Sequence, residues 1–222
     1  MKIWKMALCL LALCLLIGGC VALGVSTAAA EAEGDEGEGA PDTETVETAP
    51  ITPVYSEGLK FRSNGDGTCA VAGIGTCSSS CVLIPPQSPT GDTVTEILPF
   101  AFADCIVTAI EIPATVSTLS VMSFEKCHRL AVVRVAAGSP YFLESDGVLY
   151  TADGSVLVYC PAERAAGELT LHQSLQRVAA GAFSQCVTLR TVVFQGSAAA
   201  WQRIIVGDDN DALYASGFRF TS

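Results

Sequence analysis

Apolar positions recur at fixed offsets between residues 97 and 186. In three stretches an aliphatic residue precedes a phenylalanine by five positions and a cysteine by eight. These triplets are Ile97, Phe102 and Cys105; Leu119, Phe124 and Cys127; and Val178, Phe183 and Cys186. One copy is too short to bury its own apolar face. The pattern is therefore typical of a parallel solenoid, in which neighbouring coils stack on one another.

A short apolar–x–apolar unit follows each of these three stretches, two further units lie elsewhere in the chain, and the five units predict the strands. Successive units begin 28, 23, 36 and 23 residues apart, at 82–84, 110–112, 133–135, 169–171 and 192–194. In a strand the outer two residues of such a unit face the core and the middle residue faces outward. We therefore predict a mainly β repeat solenoid with a parallel strand ladder of about five coils. Each phenylalanine–cysteine half is expected to form a helical or 3₁₀ turn.

Turn signals predict an insertion and two caps within a folded region of residues 57–222. Residues 59–76 should form a hairpin cap, because the turn-rich segment 63–68 separates two apolar stretches. Residues 138–167 should be an insertion of small hairpins with Asp-Gly turns. The C-terminal cap, about 195–222, is expected to contain one short helix at 196–205, a turn at 207–211 and a closing strand at 218–220.

The N-terminus has the pattern of a secretory signal peptide. Residues 1–30 combine two early lysines, an apolar run and small residues before Glu31. Two alternatives remain open. Cys20 follows Ile-Gly-Gly and could carry the lipid of a bacterial lipoprotein, or the apolar run could be an uncleaved anchor. All three place the remaining chain outside the cytoplasm, either extracellular or on the cell surface, with membrane contact only through this segment.

The negative charge is concentrated next to that segment. The formal net charge is −11, and every charged side chain in residues 31–57 is a carboxylate. Residues 31–56 are also poor in large apolar side chains, so we predict an acidic disordered linker. The chain contains no cluster of lysine and arginine, which argues against a nucleic-acid partner.

Cysteines are abundant, with ten in the chain. Three share one repeat position (Cys105, Cys127 and Cys186), and we interpret them as small apolar core residues rather than as bridging ones. Cys69 and Cys77 lie on either side of the second turn of the hairpin cap, which makes them a possible disulfide pair in an oxidising compartment. No Cys-x-x-Cys pair occurs, so neither a metal site nor any other cofactor is predicted.

Candidate catalytic residues are few. The folded region has no nucleophile elbow, zinc-protease motif or phosphate-binding loop. His128 and His172 stand at positions that vary between coils, so we expect both to face solvent. Asp208 and Asp209 lie in the predicted C-terminal turn and are interpreted as a solvated loop rather than as a glycosidase pair. No enzymatic activity is predicted.

The outward-facing middle residues of the strand units are the natural docking surface for a partner. They are Glu111, Arg134, Thr170 and Val193, flanked by Ala109, Val132 and Thr191. This choice follows from strand geometry alone.

The repeated phrases resemble the BspA-like leucine-rich repeats of bacterial cell-surface proteins, also called the Treponema pallidum type. The resemblance rests on the Ile97, Leu119 and Val178 copies, on residues 139–150 of the insertion, and on Phe194-Gln-Gly196 before Trp201. It implies a leucine-rich-repeat-like solenoid on a secreted or surface-held protein that mediates adhesion or protein contacts without catalysis. The partner would be an unidentified protein or a matrix or surface component. A structural spacer module of a surface assembly is the alternative.

Overall fold

Two parallel ladders of short strands form the body of the protein. The computed structural model describes residues 53–221; the predicted signal peptide, Cys20 and residues 31–52 of the predicted linker lie outside the described residues. Ladder A consists of Thr68–Gly73, Thr93–Ile97, Thr118–Leu119, Val156–Tyr159, Arg177–Val178 and Ile205–Val206. Ladder B consists of Cys81–Leu83, Ala109–Ile112, Val132–Val135, Glu168–Thr170, Thr191–Gln195 and Gly217–Thr221. The predicted solenoid is confirmed.

The predicted strand units form ladder B. Parallel pairing joins its first three strands into one sheet and its last three into another. The predicted closing strand, Gly217–Thr221, pairs in parallel with Thr191–Gln195 and so adds a sixth member to the five predicted coils. Ladder A was not predicted as a set of strands, although its members Thr93–Ile97, Thr118–Leu119 and Arg177–Val178 carry the repeated aliphatic positions.

The apolar repeat positions fill the space between the ladders. Inward strand residues such as Ile110, Val133, Leu169 and Val192 are at most 1% exposed, and the repeated phenylalanines are fully buried: Phe102, Phe124 and Phe183. The turns between the ladders are short, and only Val121–Phe124 forms a 3₁₀ helix among the residues described. The core placement predicted for the phenylalanines is confirmed.

The insertion is a three-stranded antiparallel meander, as predicted. Its strands are Phe142–Ser145, Val148–Thr151 and Val156–Tyr159, the last of which belongs to ladder A. In the middle strand Leu149 packs into one core cluster, while Val148 and Tyr150 pack into the other. The insertion therefore separates the core into two clusters, and its middle strand buries side chains on both of its faces.

The caps follow the predictions only in part. Lys60–Ser63 pairs antiparallel with Thr68–Gly73 and forms the expected hairpin. At the other end the predicted 196–205 helix is too long, because the helix covers only Ala198–Trp201 and the chain then enters the strand Ile205–Val206. A second helix, Asp211–Ala215, was not predicted.

The predicted disulfide between Cys69 and Cys77 is not present, and both are free thiols. Cys69 stands near the start of the strand Thr68–Gly73, which carries the chain about 13 Å away at roughly 3.3 Å per residue. Beyond that strand, the amide of Thr76 donates a hydrogen bond to the carbonyl of Gly58 at the opposite end of the hairpin. Since bridged cysteines need Cα atoms within about 7 Å of each other, this geometry keeps the two thiols apart.

Candidate interaction face

Outward side chains of ladder B stand in register from strand to strand. In its first sheet Leu83 pairs with Glu111 and Glu111 with Arg134. In its second sheet Thr170 pairs with Val193 and Val193 with Arg219. We call these six residues the central column. Neighbouring strands lie about 4.8 Å apart, so each half of the column presents adjacent side chains on one surface.

All four predicted face residues belong to the central column. Arg134 is exposed, while Glu111 and Thr170 are half-buried. Val193 is only 7% exposed. Val193, which was expected to face outward, therefore offers little accessible surface. Arg219, which was not predicted, is the exposed residue of the central column in that sheet.

The insertion closes the gap between the two sheets of ladder B. The amide of Thr170 would face a neighbouring strand if the ladder were continuous. It donates instead to the carboxylate of Asp146, with a distance of 2.7 Å from the amide nitrogen to Oδ2. Asp146 lies in the turn between Phe142–Ser145 and Val148–Thr151. On the other side, the strand Phe142–Ser145 of the insertion contacts Val132–Val135 of the first sheet. The insertion thus lies between the two halves of the face, a role that the repeat pattern does not indicate.

Charges of both signs lie close together on this face. Glu111 and Arg134 are register neighbours, and Arg219 forms a 2.6 Å ion pair with Glu168. The side chains of the Arg219–Glu168 pair are 56% and 52% exposed. Such a surface carries little net charge and offers both hydrogen-bond donors and acceptors.

The candidate catalytic residues have different surroundings. His128 is exposed as expected. His172 is half-buried beside the ring of Tyr150, and its Nδ1 accepts a hydrogen bond from the amide of Ser174, so the expectation of a solvent-facing side chain is wrong for this residue. Asp208 and Asp209 are exposed. Within residues 53–221 no group of three or more His, Cys, Asp or Glu could hold a metal ion, and no helix there is long and apolar enough to cross a membrane.

A known repeat family matches part of the solenoid. Residues 86–142 match the family model described as BspA type leucine-rich repeat region (6 copies). Within that segment the repeats match the BspA type, as the sequence resemblance implied. No curated protein sequence matches the chain.

Several solved structures of bacterial proteins match parts of this chain. The pneumococcal vaccine antigen PcpA is 20% identical, with a TM-score of 0.47, over 58% of this chain and 31% of that one. A leucine-rich cell surface protein from Faecalibacterium prausnitzii is 23% identical, with a TM-score of 0.38, over 46% of this chain and 30% of that one. A leucine-rich repeat protein from Bacteroides capillosus is 21% identical, with a TM-score of 0.41, over 64% of this chain and 98% of that one. The chain spans about a third of the length of the first two.

Proposed function

We propose that this chain is a secreted or surface-tethered, non-enzymatic repeat protein that binds another protein or a matrix component through ladder B. The observation that carries the proposal is the central column, whose side chains stand in strand register on one surface. The BspA-type repeats of residues 86–142 support the same function. The extracellular or surface location rests on the signal-like pattern of residues 1–30.

Rigidity of the face favours binding. Each outward residue of ladder B alternates with an inward residue that is almost fully buried, such as Ile110 beside Glu111 and Leu169 beside Thr170. A partner therefore meets a backbone that is already ordered, and association costs less conformational entropy than it would on a mobile loop. The half-buried stems of Glu111 and Thr170 further limit the freedom that binding must remove.

A spacer module is the second candidate, favoured by the strand Gly217–Thr221. In the described chain this strand pairs on one edge only, with Thr191–Gln195, and its residues are mostly exposed. A free strand edge is a template for pairing with another chain. A spacer would use this edge to join copies, so sedimentation would show association that rises with protein concentration, and the Glu111–Arg134 region would be dispensable.

Surface plasmon resonance tests the proposal. The purified chain would be passed over immobilised fibronectin, laminin, collagen and fibrinogen as matrix probes, and over albumin as the control. The proposal expects saturable binding to at least one matrix protein, at a level well above that on albumin. Equal, non-saturating signals on all five surfaces would contradict it.

A further inference from the structure

Two pairs of cysteines on neighbouring coils hold their sulfur atoms close together. The distance between the Sγ atoms of Cys105 and Cys127 is 2.9 Å, and the distance between those of Cys160 and Cys186 is also 2.9 Å. All four are free thiols in this structure. Since a disulfide bond is about 2.05 Å long, closing each pair requires a sulfur movement of less than about 1 Å.

The repeat itself sets the spacing of the first pair. Ile97 and Leu119 are register partners in ladder A, and Cys105 and Cys127 each follow eight residues later. Equivalent positions on paired parallel strands lie about 4.8 Å apart. Disulfide-bonded cysteines have Cα atoms about 4.4–6.8 Å apart, so stacked repeat positions suit a bridge between coils.

The second pair arises in a different way. Leu157 and Val178 are register partners, but Cys160 follows its strand residue by three positions, whereas Cys186 follows by eight. The backbone amide of Cys160 donates a 2.9 Å hydrogen bond to the carbonyl of Ala182, which holds this segment against the next coil. Cys160 therefore does not belong to the repeat phrase, but the insertion places it next to Cys186, which does.

We propose that Cys105–Cys127 and Cys160–Cys186 are disulfide-forming sites that link adjacent coils when the protein meets a disulfide oxidant such as glutathione disulfide. In the first pair the Cys105 thiolate attacks one sulfur of the oxidant. The sulfur–sulfur bond of the oxidant breaks, one glutathione leaves, and a mixed disulfide forms on Cys105. The Cys127 thiolate then attacks the Cys105 sulfur and releases the second glutathione. Two cysteine thiols are oxidised, one disulfide is reduced to two thiols, and the two cysteine protons end on the glutathiones.

The two thiols of the first pair differ in a way that suits this order of attack. Cys105 is half-buried and lines a shallow surface groove together with Cys77, whereas Cys127 is fully buried. The hydrogen bond from the Cys127 thiol lowers the pKa of Cys105 to about 7, which raises its thiolate fraction at neutral pH. Cys186 has the same relation to Cys160, but both are buried, so the second pair should oxidise more slowly in the folded protein.

Peptide mapping of the full-length chain tests both sites. The reduced protein would be incubated with glutathione disulfide and then denatured in the presence of an alkylating agent, which blocks the remaining thiols. It would then be digested with trypsin and a Glu-specific protease. Cleavage isolates each cysteine in its own peptide: Cys105 in 97–111, Cys127 in 127–129, Cys160 in 145–163 and Cys186 in 178–190. We expect 97–111 linked to 127–129 and 145–163 linked to 178–190. Recovery of a pair as separate alkylated peptides would overturn that site.

Two variants distinguish specific pairing of Cys105 with Cys127 from non-specific oxidation of accessible cysteines. Cys127→Ser removes the second thiol, so Cys105 should retain one glutathione adduct that the wild-type chain does not accumulate. Cys77→Ser changes the other cysteine in the same groove and should leave the 97–111 to 127–129 link unchanged. A link from 97–111 to the peptide that contains Cys77 would contradict the proposal. None of these readouts depends on the proposed binding function.

Discussion

The guanidinium of Arg164 forms a 2.9 Å ion pair with the carboxylate of Asp146 and is only 4% exposed. Its Nε also donates to the backbone carbonyl of Asp146 at 2.7 Å, and its Nη1 donates to the carbonyl of Ala166. The other oxygen of the Asp146 carboxylate accepts from the amide of Thr170. One carboxylate therefore fixes the tip of the insertion, a buried arginine and a strand of ladder B.

Removing that carboxylate should destabilise the solenoid strongly. Asp146→Ala leaves the buried Arg164 cation without a counter-charge and the Thr170 amide without its acceptor. Because Asp146 is 40% exposed, we expect a loss of roughly 2–4 kcal/mol, between the values for surface and fully buried pairs. Urea unfolding followed by circular dichroism measures it.

Glu168→Ala is the matched control for Asp146→Ala. It also breaks a carboxylate–arginine pair, that with Arg219, but both of its side chains are more than half exposed. The expected loss is about 0–1 kcal/mol. Equal losses in the two variants would show that Asp146 is an ordinary surface residue.

The repeated phenylalanines should carry much of the stability. Phe102 and Phe124 are fully buried, with ring centroids 6.1 Å apart, and Phe183 is fully buried in the second core cluster. We expect each Phe→Ala variant to lose roughly 3–5 kcal/mol of unfolding free energy. Phe100→Ala is the control, since that side chain is 52% exposed. Melting curves that match the wild type for all three would refute the placement of these rings in a stacked core.

Asn210 completes the last coil. In an earlier coil the amide of Phe102 donates to the backbone carbonyl of Ser123, which lies on the next coil. At the C-terminal end the amide of Phe183 donates instead to the side-chain oxygen of Asn210, at 2.9 Å. Asn210 is 1% exposed, and its Nδ2 also donates to the carbonyl of Ala179. This side chain therefore replaces the acceptor that a following coil would supply.

Asn210→Ala should cost roughly 1–3 kcal/mol, because it leaves buried backbone groups without partners. Thermal or urea unfolding measures the loss. Asn64→Ala in the exposed turn of the N-terminal hairpin removes the same kind of side chain and should change stability little. The interpretation fails if Asn64→Ala is as costly as Asn210→Ala.

Cys105 should react with iodoacetamide in a pH-dependent way. The hydrogen bond from Cys127 lowers the pKa of Cys105 to about 7, so the reactive thiolate should appear as the pH rises through about 7. Cys127→Ala removes the donor and should move the midpoint upward, toward the ordinary thiol value of 9.0. Cys69, which is 1% exposed and whose pKa is raised by burial, serves as the slow reference. A wild-type midpoint near 9 would contradict the predicted contact.

The strand positions were predictable because the repeat imposes one physical constraint many times. Each coil must bury the same aliphatic and phenylalanine positions against its neighbours, so the spacing shows where Ile110 and Val133 lie. The same reasoning indicated that Glu111 and Arg134 face outward, since they are the middle residues of their strand units. Whether a partner binds there stays a prediction.

Features that occur once in the chain were not predictable in this way. Arg164 and Asp146 meet through the path of the insertion, and Asn210 supplies a side-chain acceptor where an earlier coil uses a backbone carbonyl. The cysteine pairs also show what repeat spacing cannot predict. The repeat placed Cys127 and Cys186 correctly in the core, but sulfur contacts between coils depend on side-chain directions that spacing alone does not specify.

The most direct test of the account compares two matched double variants in binding to the matrix protein that gives saturable resonance signals. Glu111→Ala with Arg134→Ala alters the outer face of ladder B, and Glu96→Ala with Arg177→Ala alters the same residue types on ladder A. Hot-spot residues typically cost 2 kcal/mol or more, so we expect the ladder B variant to bind roughly 30-fold more weakly. The ladder A variant should bind like the wild type. Equal affinities for the two variants would contradict binding through ladder B.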